Sequence, residues 1–209
     1  MPVSRRLELV NYSAAHGSLV IEDDFENEFV YLQKPTPSLF GWQAVRMWCI
    51  WEPFSRLLLP SIRISFMVLP PELSALYRKK ADQYNQTASK AEQIALCQFI
   101  RDGHLAAQTR KLKRLYSVKL KALRSAVREV FGKDSQIQTG AAGTSLALTL
   151  STTLTWQELQ KKAQTNGLRL QLLREAPGKI TLILSCSSMP VADFVPACKL
   201  LKDISQIQN

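Results

Sequence analysis

The sequence VIEDDF at residues 20–25 and the sequence PFSRLLLPSIR at residues 53–63, about thirty residues later, decide the fold of this chain. The first is typical of a buried strand that ends in acidic residues. The second follows an apolar run, Met47 to Trp51, that is typical of another strand. Charged side chains are therefore predicted at the ends of two strands.

Helices and strands alternate around these stretches, which indicates an α/β fold. The patterns predict strands at Leu19–Asp23, Met47–Trp51 and Ile62–Leu69, and helices at Ser4–Ala15, Pro70–Gln83, Ser89–Ile100 and His104–Phe131. In the last of these helices, apolar residues recur at three- and four-residue steps over its whole length. The pattern therefore predicts a long connecting helix at residues 104–131.

After Gly132 the character of the sequence changes. Residues 140–143 predict a hinge or turn, and the remaining residues predict strands at Thr144–Ser151, Leu168–Leu173 and Ile180–Ser185, the last two separated by a turn at Pro177-Gly178. Helices are predicted at Thr155–Thr165, with Thr155 as its cap, and at Val191–Ile204. The predicted boundary falls between Phe131 and Gly140. We therefore expect two domains, residues 1–132 and a small α+β domain at residues 133–209.

The composition is that of a globular protein with a basic surface. Of the 209 residues, 46% are hydrophobic and 21% charged, which argues against general disorder. The formal net charge is +10, which permits binding to nucleic acid or to anionic ligands but identifies no partner.

The cysteines and histidines exclude two further classes of site. The four cysteines lie far apart without a C-x-x-C pair, and the chain has two histidines, so neither a zinc site nor a disulfide framework is predicted. No stretch reaches the roughly 20 apolar residues that span a bilayer. We expect a soluble cytoplasmic protein with reduced thiols.

The two charged strand ends resemble the aminotransferase-like domain of MocR-type regulators in the GntR superfamily. In that family an acid-rich "EDDY" strand end and an "FSK" strand end followed by an arginine hold pyridoxal phosphate. The match is best from Ser55 to Leu73 and extends with uneven strength over nearly the whole chain. The resemblance implies a partial fold type I aminotransferase-like large domain, with three strands and helices, followed by the small C-terminal domain.

The resemblance also implies a set of cofactor-binding positions. Asp23 matches the acid that pairs with the pyridine nitrogen, and Phe25 stands where the family has a tyrosine. Ser55 matches a phosphate-contacting hydroxyl, and Arg63 matches the arginine that clamps the phosphate. Arg56 stands at the position of the cofactor lysine, and a guanidinium does not lose the proton that covalent capture of the aldehyde requires.

Two further departures from the family pattern predict a pseudoenzyme. Glu52-Pro53 replaces a Gly-Thr pair beside the expected phosphate pocket, where a negative charge is unfavourable. Ser187 stands, to within one or two residues, at the position of the arginine that receives the substrate carboxylate. No catalytic residue is therefore assigned, and cofactor binding is expected to be weak or lost.

The resemblance further implies that the chain lacks the family's winged-helix DNA-binding domain and the front half of the large domain. On this interpretation the chain is truncated, and its three large-domain strands expose edges and apolar faces. We expect a homodimer or association with a separately encoded front half, and DNA binding only through the absent winged-helix domain.

Two alternatives stay open. An active pyridoxal-phosphate-dependent aminotransferase would need Lys34 or another lysine to reach the cofactor. Nucleic acid could bind the basic helix at residues 110–128, whose eight lysines and arginines lie in a segment without acids. A solvated outer helix face explains the same charges more simply.

Overall fold

The computed structural model describes residues 3–23, 38–39, 47–55, 57–132, 136–139, 143–187 and 189–205. These residues form two compact units, the first extending to Arg110 and the second beginning at Lys111. The predicted boundary between residues 132 and 133 lies later in the chain and stays a prediction.

The first unit contains a three-stranded sheet and three complete helices. Its elements are α1 (Val3–His16), β1 (Val20–Asp23), β2 (Trp48–Pro53), β3 (Ser65–Val68), α2 (Pro71–Lys80) and α3 (Lys90–Arg101). Their order in the sheet is β1-β2-β3, in which β1 is parallel to β2 and β3 is antiparallel to it. Pro71 at the first turn fixes the backbone angle that starts α2, and the Ser89 side chain caps α3 by accepting from the Glu92 amide.

Among the described residues of the first unit, the buried apolar cluster is small. Val10 of α1, Leu39 and Trp48 of β2 form its cluster of buried residues. All four residues of β3 are exposed, as is Ile21 of β1. Among the described strands of this unit, β3 therefore exposes apolar side chains as expected, whereas Trp48 and Cys49 of β2 are buried.

The second unit is built on a four-stranded antiparallel sheet. Helix α4 (His104–Phe131) leads into β4 (Gln136–Thr139), β5 (Ser145–Ser151), α5 (Trp156–Thr165), β6 (Gln171–Ala176), β7 (Lys179–Ser185) and α6 (Phe194–Ser205). The strands are ordered β4-β5-β7-β6. On β5 the side chains of Leu146, Leu148 and Leu150 are buried and alternate with half-buried residues, as expected for a strand with one face on a core.

Local sequence explains how the second unit turns and caps its elements. Thr155 and Glu158 form a reciprocal capping box at the start of α5. Gly178 has a φ of 70°, a left-handed conformation that glycine adopts without strain, and it forms the turn between β6 and β7. The capped helix and this turn were both predicted from the sequence and are confirmed.

The structure differs from the sequence prediction at several elements. The segment predicted as a linker contains β4, which was missed because a four-residue strand with alternating glutamines carries little apolar signal. Strand β6 begins at Gln171 instead of Leu168, and Leu168 and Leu170 before it line a cavity. The predicted strand at Ile62–Leu69 is shorter, since Pro60–Ile62 form a 3-10 turn.

Candidate functional site

The predicted site residues that the structure describes gather at one edge of the three-stranded sheet. Because β1 and β2 are parallel, with Asp23 opposite Trp51, their carboxyl ends meet at this edge. Strand β3 is antiparallel and pairs Ser65 with Pro53, so its amino end lies there too. Asp23, Ser55 and Arg63 therefore come from three adjacent strand ends.

The two acids on β1 have different environments. Asp23 is exposed, whereas the Glu22 side chain is 12% exposed and accepts hydrogen bonds from the Leu39 amide at 2.9 Å and from Trp48 Nε1 at 3.1 Å. Arg6 of α1 also lies 3.9 Å from a carboxylate oxygen of Glu22. Glu22 thus connects α1, β1, β2 and Leu39.

Sequence reasoning missed this role of Glu22. Successive side chains of a strand point to opposite faces, so Glu22 and Asp23 had to differ in environment. That alternation was the available signal, but it does not say which acid is buried. The partners come from distant positions, and a sequence pattern does not reveal them.

The loop that follows β2 is closed by its own backbone and apolar side chains. The Phe54 amide donates to the Ile64 carbonyl at 3.0 Å, and the rings of Phe54 and Phe66 lie 5.4 Å apart. Leu57 and Ile64 are buried. These contacts hold half-buried Ser55 beside the strand end.

Arg63 occupies an unusual backbone conformation. With φ 47° and ψ 29° it is left-handed, and among the described residues it is the one non-glycine residue with positive φ. Such a conformation costs on the order of 1 kcal/mol and tends to occur where function constrains the chain. Its side chain is exposed, and within the described part of the chain no carboxylate forms an ion pair with it.

The remaining predicted positions are described only in part. Phe25, Lys34 and Arg56 lie outside the described residues. Glu52 and Pro53 are the last residues of β2 and are half-buried, so a carboxylate does lie at the strand end where the sequence predicted an unfavourable charge.

The residues at this edge offer partners for two of the three functional groups of pyridoxal phosphate, the pyridine nitrogen and the phosphate. Asp23 offers a carboxylate for a pyridinium, and Ser55 and Arg63 offer a hydroxyl and a guanidinium for a phosphate. The aldehyde requires an amine, and residues 53–64, which join β2 to β3, include no lysine. This loop and strand edge therefore offer groups for non-covalent contacts with the cofactor and no amine, and no reaction step is derived through it.

At the end of β7 lies a lysine side chain from another element, which the sequence did not reveal. Lys119 of α4 donates from Nζ to the Ser187 carbonyl at 3.1 Å, across 68 residues. The Ser185 and Ser187 hydroxyls lie 2.7 Å apart. Burial raises the pKa of the neighbouring Cys186 thiol, and the positive charge of Lys119 partly offsets that rise. This lysine belongs to another element, so the residues of the strand end itself did not reveal it.

The basic segment of α4 is divided between exposed and half-buried positions. Five of its lysines and arginines are exposed and three are half-buried; the exposed set is Arg110, Lys111, Arg114, Lys121 and Arg128, and the half-buried set is Lys113, Lys119 and Arg124. The charges therefore do not all face solvent as one uniform surface.

Other site classes find little support in the described residues. All four cysteines are free thiols. Within the described ranges, no group of three or more histidine, cysteine or acidic side chains is arranged to hold a metal ion. No described helix combines the length and apolar character needed to cross a membrane.

Comparison with solved structures defines the fold. The chain is similar to the α-aminoadipate aminotransferase LysN from Thermus thermophilus, with a TM-score of 0.77 and 21% identity over 98% of this chain and 54% of that one. It is also similar to a kynurenine aminotransferase from Pyrococcus horikoshii, with a TM-score of 0.80 and 17% identity over 99% of this chain and 52% of that one. The fold is therefore that of part of a fold type I aminotransferase, as the sequence predicted.

Comparison with curated proteins identifies the relatives. The chain is 30% identical to the HTH-type transcriptional regulator YdeL of Bacillus subtilis, over 97% of this chain and 44% of that protein. It is 34% identical to the regulator YhdI of the same species, over 81% of this chain and 36% of that one. It is 27% identical to the probable rhizopine catabolism regulatory protein MocR of Rhizobium meliloti, over 83% of this chain and 35% of that one.

The chain is thus a homologue of the MocR-type HTH regulators, which confirms the resemblance found in the sequence. It spans less than half the length of the curated relatives described above. No protein-family model matches the chain.

Proposed function

We propose that this chain is a degenerate aminotransferase-like effector domain of a MocR-type regulator, without transaminase activity and with weak or lost binding of pyridoxal phosphate. The named relatives are transcriptional regulators, and their role is the basis for the regulatory part of the proposal. The chemistry of the sheet edge is the basis for the rest.

The observation that carries the proposal is Arg56 at the family's lysine position. A nucleophilic amine must be neutral to attack the cofactor aldehyde, and arginine stays protonated because its charge is delocalised over the guanidinium. Replacement of lysine by arginine keeps the positive charge while removing the nucleophile. On this proposal the chain keeps a positive charge at this position of the sequence and loses covalent attachment.

The other substitutions act in the same direction. Phe25 in place of a tyrosine removes one hydrogen-bond donor to the cofactor ring. Glu52 adds a negative charge beside the phosphate contacts offered by Ser55 and Arg63. Each change weakens recognition of a phosphorylated pyridine without disturbing the strands that carry the site.

Borohydride reduction with mass analysis tests this proposal. The wild-type chain and the variant Arg56→Lys are each mixed with pyridoxal phosphate at equal molar concentration, reduced, and digested. We expect no site-specific cofactor adduct on the wild type and an adduct at position 56 in the variant. A stoichiometric adduct at Lys34 or at another single lysine of the wild type would contradict the proposal and support an active aminotransferase.

The chain's partners form a further part of the proposal. The exposed residues of β3 and the length of the relatives support a homodimer or association with a front half supplied by another chain. DNA contact would then come through a winged-helix domain outside this sequence, with the protein in the cytoplasm. Copurification of an untagged copy with a tagged copy would support the homodimer. Copurification of the tagged chain with a separately expressed front half would support the second association.

Nucleic-acid binding through α4 is the second candidate function. The exposed arginines and lysines at residues 110–128 favour it, since five of the eight face solvent. Lys119 is half-buried and donates to a backbone carbonyl, which indicates that part of the positive charge of α4 has a structural role. If α4 binds DNA, reversing the charges of Arg114 and Lys121 flattens the salt dependence of binding.

A further inference from the structure

A cavity of about 650 Å³ lies within the second unit, apart from the sheet edge described above. Its walls come from α4, α6, the carboxyl end of β7 and the segment that leads into β6. Six of the apolar residues that form these walls are Leu123, Leu168, Leu170, Ile183, Phe194 and Leu201. The volume falls in the range of about 300–1,000 Å³ that is usual for small-molecule sites.

Among the described residues that line the cavity there is one positive charge and no acid. Arg169 is one of the lining residues and is exposed to solvent, so its positive charge is available to a ligand of the cavity. None of the described lining residues is aspartate or glutamate. The ion pairs found among the described residues are Arg5–Glu8 and Arg6–Glu22, so no described carboxylate neutralises Arg169.

The inner wall is apolar even where it carries a thiol. Cys198 lines the cavity and is buried, and burial together with the nearby negative charge of Glu129 raises the pKa of this thiol to about 11. The group is therefore neutral near pH 7 and behaves as a small apolar surface. Gln171 and Ser185 add hydrogen-bonding capacity among the lining residues.

We propose that this cavity binds a small molecule with an apolar body and one carboxylate, of the size of a medium-chain carboxylic acid. The apolar body occupies the space between the sheet and helices α4 and α6, and the carboxylate pairs with Arg169 at the opening. Burial of the apolar body supplies affinity, and the guanidinium selects an anionic head group over a neutral or cationic one. The site is independent of pyridoxal phosphate and would persist if the first unit binds no ligand.

Calorimetric titration of the full chain tests the proposal with three probes of equal chain length: octanoate, 1-octanol and octylamine. We expect octanoate to bind most tightly and octylamine most weakly. The variant Arg169→Gln should weaken octanoate binding about tenfold, the usual effect of losing a charge-assisted hydrogen bond, and leave 1-octanol within about twofold.

Two further variants keep the test decisive. Arg174→Gln removes an exposed arginine of β6 that does not line the cavity, and it should change none of the affinities. Ala197→Trp fills the cavity from α6 and should abolish binding of all three probes. The proposal would be overturned if octanoate and octylamine bound with equal affinity. It would also be overturned if Arg174→Gln and Arg169→Gln lost octanoate binding equally. Neither result depends on whether Ala197→Trp folds.

Discussion

The two units of this chain differ in how they bury their apolar surface. In the second unit, side chains from α4, α5, α6, β5 and β7 meet in one large buried cluster. In the first unit the corresponding cluster is formed by Val10, Leu39 and Trp48, while leucines, tyrosines and isoleucines of α1, α2 and α3 stay exposed. Burial of apolar surface is the main favourable contribution to folding, so the described residues lead us to expect more stability in the second unit, while the first holds the candidate site.

Truncation of a buried leucine in the second unit should have the largest effect. Leu148 is 0% exposed on β5, and Leu148→Ala should lower the free energy of unfolding by about 2–5 kcal/mol, because it removes apolar contacts and leaves a cavity. Leu76 on α2 is 50% exposed, and Leu76→Ala should change the free energy of unfolding by less than about 0.5 kcal/mol. Urea denaturation followed by circular dichroism measures both, and equal effects would remove the contrast between the units.

The next largest effect should separate the two neighbouring acids of β1. The Glu22 carboxylate accepts hydrogen bonds from Leu39 and Trp48 and lies close to Arg6. Glu22→Gln removes its negative charge and should destabilise the first unit by about 1–3 kcal/mol. Asp23→Asn alters an exposed side chain and should have little effect on stability. Hydrogen exchange of the β1 and β2 amides reports the difference; faster exchange in Asp23→Asn than in Glu22→Gln would reverse the structural assignment.

Cysteine alkylation compares local opening in the two units directly. Cys49 in the first unit and Cys198 in the second are similarly buried, at 2% and 4% exposure. If the first unit opens more readily, Cys49 should react about tenfold faster than Cys198, which corresponds to about 1.4 kcal/mol in opening free energy. Exposed Cys97 is the internal control and should react first. Mass spectrometry after brief iodoacetamide treatment gives the order, and a faster reaction at Cys198 would contradict the account.

The smallest effect concerns the start of α5. Thr155→Ala removes an N-cap, a change that typically costs about 1 kcal/mol, and Thr165→Ala at the other end of the helix is the matched control. Hydrogen bonds from Thr155 lower the pKa of Glu158, so the stabilising contribution of Glu158 is present above its unfolded-state pKa and is lost as the pH falls through the lower folded-state value. The difference between wild type and Thr155→Ala in thermal melts should shrink on acidification, and a constant difference would argue against the capping box.

The sequence predicted elements where local chemistry decides structure. The capped start of α5, the turn at Gly178 and the long helix from His104 to Phe131 follow from caps, glycine and periodicity, and the structure confirms them. The resemblance added the fold class, which periodicity alone does not specify.

What the sequence did not predict depends on distant contacts. Glu22 and Lys119 have partners from other elements, and their roles follow from tertiary packing that a local pattern does not encode. Strand β4 was missed because its stability comes from pairing with β5 and not from its own apolar content. At the candidate site, Asp23, Ser55 and Arg63 could be chosen only by resemblance, since each alone is an ordinary surface residue type.

The central proposal is that the sheet edge keeps its charged residues while its binding of pyridoxal phosphate is weak or lost. A far-UV circular-dichroism melt of the full chain, with and without excess pyridoxal phosphate, tests it most directly, because a ligand of the folded state must raise the unfolding midpoint. The account predicts a cooperative transition whose midpoint the cofactor does not move. A rise of several degrees in the wild type that disappears in Arg63→Gln would contradict the account and show that the edge still forms a working pocket.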